Sequence, residues 1–193
     1  DWSSWYRLFS KERFSEEELA GIFLQQTLRD IPAEGPYVVG VDATQIPRSS
    51  QKMAGTSWLK APRTPVFMPG IHRAQRFMIG ECLVPVEEGF SRAIPLRCYP
   101  AFPPKAVPAG VAPQTEWEAG LAFLTWTREQ LDQAGREAQQ ILALGDGSYE
   151  CLGMWKGLPP RVTLMARSAK NRALYDLPTA EDRRRRRKYG KQA

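Results

Sequence analysis

The stretch Tyr37-Val38-Val39-Gly40-Val41-Asp42-Ala43-Thr44 decides how the rest of the chain is read. It is a short apolar run ending on a carboxylate. Val38, Val39 and Val41 are β-branched and suit a pleated, buried surface. A run with almost no polar residue fits a central strand covered on both faces. Pro36 precedes it, where a missing N–H does little harm. A second stretch has the same form: Ile141-Leu142-Ala143-Leu144-Gly145-Asp146-Gly147. Two buried strands that end in Asp make a candidate metal site at the rim of one sheet. Each Asp also has a local use, Asp42 as a turn cap and Asp146 as the opener of a short helix over 149–156.

Working outward, residues 1–35 read as a helical segment. Ser15-Glu16-Glu17-Glu18 fits a capping box, and Leu19, Ile22, Phe23 and Gln26 share one helical face. Pro32, Gly35 and Pro36 turn the chain into the first strand. From Ala43 to Gly80 there is no Asp or Glu, while Arg48, Lys52, Lys60, Arg63, Arg73 and Arg76 are all present. The same span is rich in Pro, Gly, Ser and Thr and is expected to be mostly loop, with His72 a loop residue. A solvated insertion would explain the polarity. The absence of acids favours a basic surface that faces a polyanion.

Two further strands follow, over 76–84 and 92–98, joined by a turn at Glu88-Gly89, and Pro95 marks an edge or a bulge. Residues 99–114 are a proline-rich connector. Thr115-Glu116-Trp117-Glu118 is a second capping box, opening a helix with Trp117, Leu121, Leu124, Leu131 and Ala138 at helical spacing and Arg128 on its polar flank. The strand that ends at Asp146, a short helix over 149–156 and a strand over 161–167 complete the core. The order is α, β-β-β, then α-β-α-β, which predicts an α/β fold with a mixed sheet, three antiparallel strands preceding the α-β-α-β run. This is the order of a ribonuclease-H-like domain up to its fifth strand. The division is an N-terminal helical segment at 1–35, a core at 36–178 and a basic linker or tail at 179–193.

Composition narrows the class. The chain has 193 residues, enough for one domain with an ample core. No run approaches a membrane span, and the N-terminus has no signal-peptide pattern. It also lacks an initiator Met, so the chain is expected to derive from something longer. Cys82, Cys98 and Cys151 show no metal-binding spacing, which argues against a zinc site and for reduced thiols. The net charge of +6 is carried by the tail, where Arg183 to Arg187, Lys188 and Lys191 are basic and no acid follows Asp182. The body without them is nearly neutral. The tail has no apolar periodicity and is expected to be a disordered linker that could contact nucleic acid.

Val39-Gly40-Val41-Asp42-Ala43-Thr44, the run from Leu142 to Tyr149, and Arg172-Ala173-Leu174-Tyr175-Asp176-Leu177-Pro178 with the basic residues after it resemble the DDE transposases of bacterial insertion sequences, and more loosely the DDE superfamily endonucleases. The resemblance covers most of the chain. It implies a ribonuclease-H-like catalytic domain in which Asp42 and Asp146 hold Mg²⁺ or Mn²⁺. Its activity would be cleavage of transposon ends and joining of the 3′ hydroxyl to target DNA. It implies a homodimer in the full-length protein and a place on the bacterial nucleoid in the cytoplasm. Arg48, Lys52, Lys60, Arg63, Arg73, Arg76, Lys170 and Arg172 are the expected DNA contacts.

The family's third carboxylate is a Glu on a late helix, and no such helix follows here. Glu181 and Asp182 fall in the tail and do not fill the role. The chain therefore looks truncated before the last catalytic helix, with an activity expected to be absent in isolation. Two alternatives stay open. One is a complete ribonuclease-H-type nuclease that takes its extra acid from Glu116 or Glu118. The other is a non-catalytic DNA-binding module.

Overall fold

A computed structural model describes residues 7, 15–50, 52–62, 67, 68, 70–87, 89–169, 173, 175 and 179–185. The chain is an α/β protein built on one mixed sheet of six strands. In order, the elements are α1 (Glu16–Asp30), β1 (Tyr37–Pro47), β2 (Ser57–Lys60), β3 (Ile71–Glu87), β4 (Phe90–Pro100), α2 (Glu116–Gln133), β5 (Ile141–Gly145), α3 (Leu152–Gly157), β6 (Val162–Ala166) and α4 (Ala180–Arg184). A single 3₁₀ turn, Gly147–Tyr149, lies between β5 and α3.

The sheet runs β2-β3-β1-β5-β6, with β4 also on β3. β1 is central: antiparallel to β3, with Val41 opposite Gly80, and parallel to β5, with Val41 level with Gly145. β5 and β6 are parallel. β2 and β4 share the other edge of β3, β2 along Ile71–Ala74 and β4 from Phe77 onward. The register of β4 slips between Gly80 and Glu81, which face Arg97 and Pro95, so Leu96 is the extra residue of a bulge. Pro95 marks that bulge, as its missing N–H predicts.

The core lies where α1 and α2 meet the sheet. Leu24 and Leu28 of α1, Phe123, Leu124 and Leu131 of α2, Val39 and Val41 of β1, and Met78 and Cys82 of β3 are all buried in it. Complete burial of side chains of this size contributes roughly 1.5–3 kcal/mol each. Thr115 caps α2 in both directions: the Glu118 N–H donates to its hydroxyl, and its own N–H donates to Glu118 Oε2 at 2.8 Å. At α1 the Glu18 N–H donates to the Ser15 hydroxyl at 3.3 Å.

α2 ends at Gln133, five residues before the expected Ala138. Gly135 takes a positive φ of 72°, which stops the helix. The chain then folds back and Arg128, expected on the polar flank, is buried as a clasp. Its guanidinium donates to the carbonyls of Gln139 (2.6 Å) and Arg136 (2.8 Å) and to Asp132 Oδ1. Arg136 reaches on to the carbonyls of Leu28 and Ile31 at the end of α1, and Gln139 Nε2 donates to the carbonyls of Pro32 and Gly35. These bonds fix the turn that delivers the chain into β1.

The acid-free span is not mostly loop. β1 continues to Pro47, β2 forms, and β3 starts at Ile71, so the three build a sheet extension. His72 lies in β3, its Nε2 2.6 Å from Gln45 Oε1. Backbone pairing supplied by β3 outweighs the local loop composition. In the tail, Ala180–Arg184 form one helical turn, with an Arg185–Glu181 ion pair, where no periodicity was expected. No helix among the described residues is long and apolar enough to cross a membrane.

Candidate active site

Asp42 does not end its strand. It stands where β1 loses its parallel partner: Val41 is level with Gly145, the last residue of β5, and Asp42 is next along β1. Asp146 is next after Gly145 and leaves the sheet to cap the 3₁₀ turn, its Oδ1 accepting from the Ser148 N–H at 2.7 Å. Parallel strands in register bring the two carboxylate-bearing residues to the same level on neighbouring chains, although 103 positions separate them in sequence. β1 runs on beyond that level paired to β3 alone. Both aspartates are exposed.

Each carboxylate uses one oxygen locally, since Asp42 Oδ1 accepts from the Ala43 N–H at 2.8 Å. Asp42 caps no turn, since it lies within β1, and Asp146 opens the 3₁₀ turn rather than the foreseen helix over 149–156, whose helical part starts at Leu152 behind Cys151; the second oxygen of each has no hydrogen-bond partner among the described residues. Two carboxylates with water completing the shell are a donor set that suits Mg²⁺. A three-ligand cluster is another matter: among the described residues no group of three His, Cys, Asp or Glu is placed to hold a metal ion.

Glu116 is the acid whose charge both aspartates influence. It is the first residue of α2, with a side chain only 14% exposed, and it pairs with Arg76 Nη1 at 3.3 Å. Burial raises its carboxyl above the ordinary carboxylate range. Arg76 and the Ser148 hydroxyl oppose that rise, while the charges of Asp146 and Asp42 add to it. Those influences put all three acids in one electrostatic neighbourhood. Glu118, the other acid weighed from sequence, is engaged as the cap partner of Thr115, whose hydrogen bonds lower its pKa.

Tyr149 closes the group from below. It is wholly buried and its hydroxyl has no hydrogen-bond partner. Burial raises its pKa strongly, and Glu116, Asp42 and Asp146 raise it further, in that order. Its ring fills the slot left by two glycines. A Cβ on Gly120 would stand 2.7 Å from the ring, and one on Gly145 3.0 Å. Nothing in the spacing of Tyr149 singled it out, because its partners Gly120 and Gly145 lie on different elements.

The expected DNA contacts divide into three groups. Lys52 and Lys60 are exposed. Arg48 and Arg73 are half-buried neighbours on the extension, Arg48 Nε donating to Gln75 and Arg73 Nη2 to Thr56. Arg76 is turned to Glu116. Arg63, Lys170 and Arg172 lie outside the described residues. Trp58, 66% exposed, pairs across from Arg73, and Lys60 across from Ile71, so an aromatic ring stands among the cations of this arm.

Comparison with protein-family models, curated proteins and solved structures finds no match.

Proposed function

We propose that this chain is a ribonuclease-H-like nucleic-acid-cutting domain of the DDE transposase kind, with Asp42 and Asp146 as its metal-holding acids. One observation carries the reading: the level pairing of Val41 with Gly145, which brings the two aspartates side by side. The strand order supports it. Three antiparallel strands, β1, β3 and β4, precede two strands parallel to β1, with Asp42 on β1 and Asp146 directly after β5.

A bound Mg²⁺ would supply Lewis-acid stabilisation of the phosphate oxygens and a more acidic water or hydroxyl. The protein's part is to hold the ion between Asp42 and Asp146 and to lay the phosphodiester across them. Arg48, Lys52, Lys60 and Arg73 would draw the DNA backbone to the arm beside the acids. Transposon ends and target DNA are the substrates of this reading, and a homodimer its working form.

The test is a titration of Mg²⁺ or Mn²⁺ into the wild type, Asp42→Ala and Asp146→Asn, followed by calorimetry. Saturable binding by the wild type, lost in both variants, is expected. Equal binding in all three proteins sinks the nuclease reading. DNA binding that persists in every variant without metal would leave the non-catalytic module in its place.

A further inference from the structure

The sheet face turned away from α1 and α2 carries Asp42, and strand alternation tells what else it carries. Val39 and Val41 of β1 and Met78 and Cys82 of β3 are buried with the helices, so Asp42, Thr44 and Ile46 fall on the opposite face. Asp42 pairs across from Ile79, Ile46 from Gln75, Trp58 of β2 from Arg73, and Lys60 from Ile71. Opposed residues share a face, which puts Trp58 and Lys60 on the face of Asp42. Side-chain bonds agree: His72 reaches Gln45 on the helix face, while Arg73 donates to Thr56, and Gln75 to the Ala54 carbonyl, on the other. β2 lies across β3 from β1, so the connection over 48–56 must cross β3, and it crosses on the Asp42 face, bringing Arg48 and Lys52 with it. Gly55 pins the crossing: its φ is 79°, its N–H donates to the Ala106 carbonyl at 2.7 Å, and a Cβ there would meet the Phe102 ring at 2.6 Å. Trp58 is thus held on a fixed strand, yet stays 66% exposed in a span without acids. A polyanion complements that charge, and an open indole among cations suits one with unstacked bases.

We propose that this face binds an unpaired stretch of DNA, one base stacked on Trp58 and the strand running over Ile46 and Thr44 to Asp42. Lys52 and Lys60 meet the phosphates of that strand. Ile79 and Arg73, the partners of Asp42 and Trp58, are six positions apart on β3. That is about 20 Å of strand, the length of roughly six stacked nucleotides. The inference rests on the nucleic-acid reading above and narrows its substrate to DNA that is single-stranded beside the phosphate to be cut. A duplex offers phosphates but no free ring face, so Trp58 adds little to its binding.

Binding of an oligothymidylate long enough to span the track, and of a blunt hairpin duplex, tests this on the full chain in EDTA. Trp58→Ala weakens the oligothymidylate by about tenfold and the duplex by less than about twofold, while Trp58→Phe keeps most of the affinity. Ile46→Glu puts a negative charge on the track and weakens the oligothymidylate by about threefold or more. Gln45→Glu, its neighbour on the helix face, leaves it unchanged. Circular dichroism checks the fold of each variant. Wild-type affinity for the oligothymidylate in Trp58→Ala overturns the proposal. So does an Ile46→Glu that binds as well as Gln45→Glu, because the strand then leaves the ring away from Asp42. A wild type that binds no oligothymidylate and sediments as a dimer split by Trp58→Ala also overturns it, and gives the ring to a second copy of the chain. No arm contains metal, so a failed Mg²⁺ titration beside these results removes the cutting reading alone, and a silent Trp58→Ala beside a successful titration removes the stacking face alone.

Discussion

Phe123 of α2 lies over Gly80 of β3 so closely that a Cβ at residue 80 would stand 2.4 Å from its ring. The helix that starts at Glu116 is set against the sheet by this contact, two turns along from the acid. Gly80 also faces Val41, the residue before Asp42. The missing side chain thus governs how near α2 comes to the strand that carries the first aspartate.

Gly80→Ala is expected to destabilise the protein by about 1–3 kcal/mol, because the ring or the helix must shift. Phe123→Ala leaves a cavity instead and costs about 3–5 kcal/mol. Urea unfolding of both variants measures this. An unchanged midpoint in Gly80→Ala would mean that α2 can slide, and that Glu116 is not held at a fixed depth.

The polar clasp at the other end of α2 carries a different prediction. Gln139 is 4% exposed and donates to the carbonyls of Pro32 and Gly35 at 2.8 Å each. Gln139→Leu removes both donors and leaves carbonyls short of partners, at about 1–3 kcal/mol. The loss should show in thermal unfolding. Hydrogen exchange should quicken at the Tyr37 amide, which bonds to the neighbouring Gln140 carbonyl at 2.8 Å.

Much of this architecture is legible in the residues. The valines of β1 and the Ile141–Gly145 run read as central strands because their burial leaves an apolar signature. Both N-cap positions follow from Ser15 and Thr115, although the full capping box forms only at Thr115. What could not be read is whatever depends on a partner distant in sequence. The acid-free span is polar enough to pass for loop, yet β1 and β2 pair with β3 there, since a backbone ladder does not need apolar side chains. Arg128 looks solvated by helical spacing, but Gly135 turns the chain back over it. Asp42 and Asp146 announce themselves as carboxylates closing apolar runs, although the strand of Asp42 runs on past it and Asp146 lies just beyond β5. Glu116 carries no mark beyond its place at the start of a helix, and Tyr149 none at all.

Glu116 should give the protein a distinct pH profile. Its carboxyl is raised chiefly by burial, so the folded state holds its proton more tightly than the unfolded state does. The sign follows: the stability linked to this group is fully present below the ordinary Glu pKa of about 4.3 and is lost as pH rises through the folded value. Glu116→Gln mimics the protonated form and should raise the melting temperature at pH 7. Below the ordinary value the variant and the wild type should converge. A variant less stable than wild type at pH 7 would mean that the Arg76 pairing outweighs the burial.

The basic extension makes the last prediction, on affinity for DNA. Lys52 and Lys60 are exposed and Arg48 and Arg73 half-buried, all four within the acid-free span from Ala43 to Gly80. If these cations meet phosphates, log K falls linearly with log salt, and each lost contact flattens the slope by about 0.9. Lys60→Ala and Lys52→Ala should each weaken binding to unrelated duplexes alike, without changing preference among sequences. Trp58→Ala should act differently, lowering affinity for single strands or frayed ends more than for duplex, since a ring 66% exposed can stack on an unpaired base. Salt-titrated fluorescence anisotropy on the two kinds of DNA reads both effects. A slope unchanged in Lys52→Ala and Lys60→Ala would remove the arm from the DNA path and leave the acids to find their phosphate by another route.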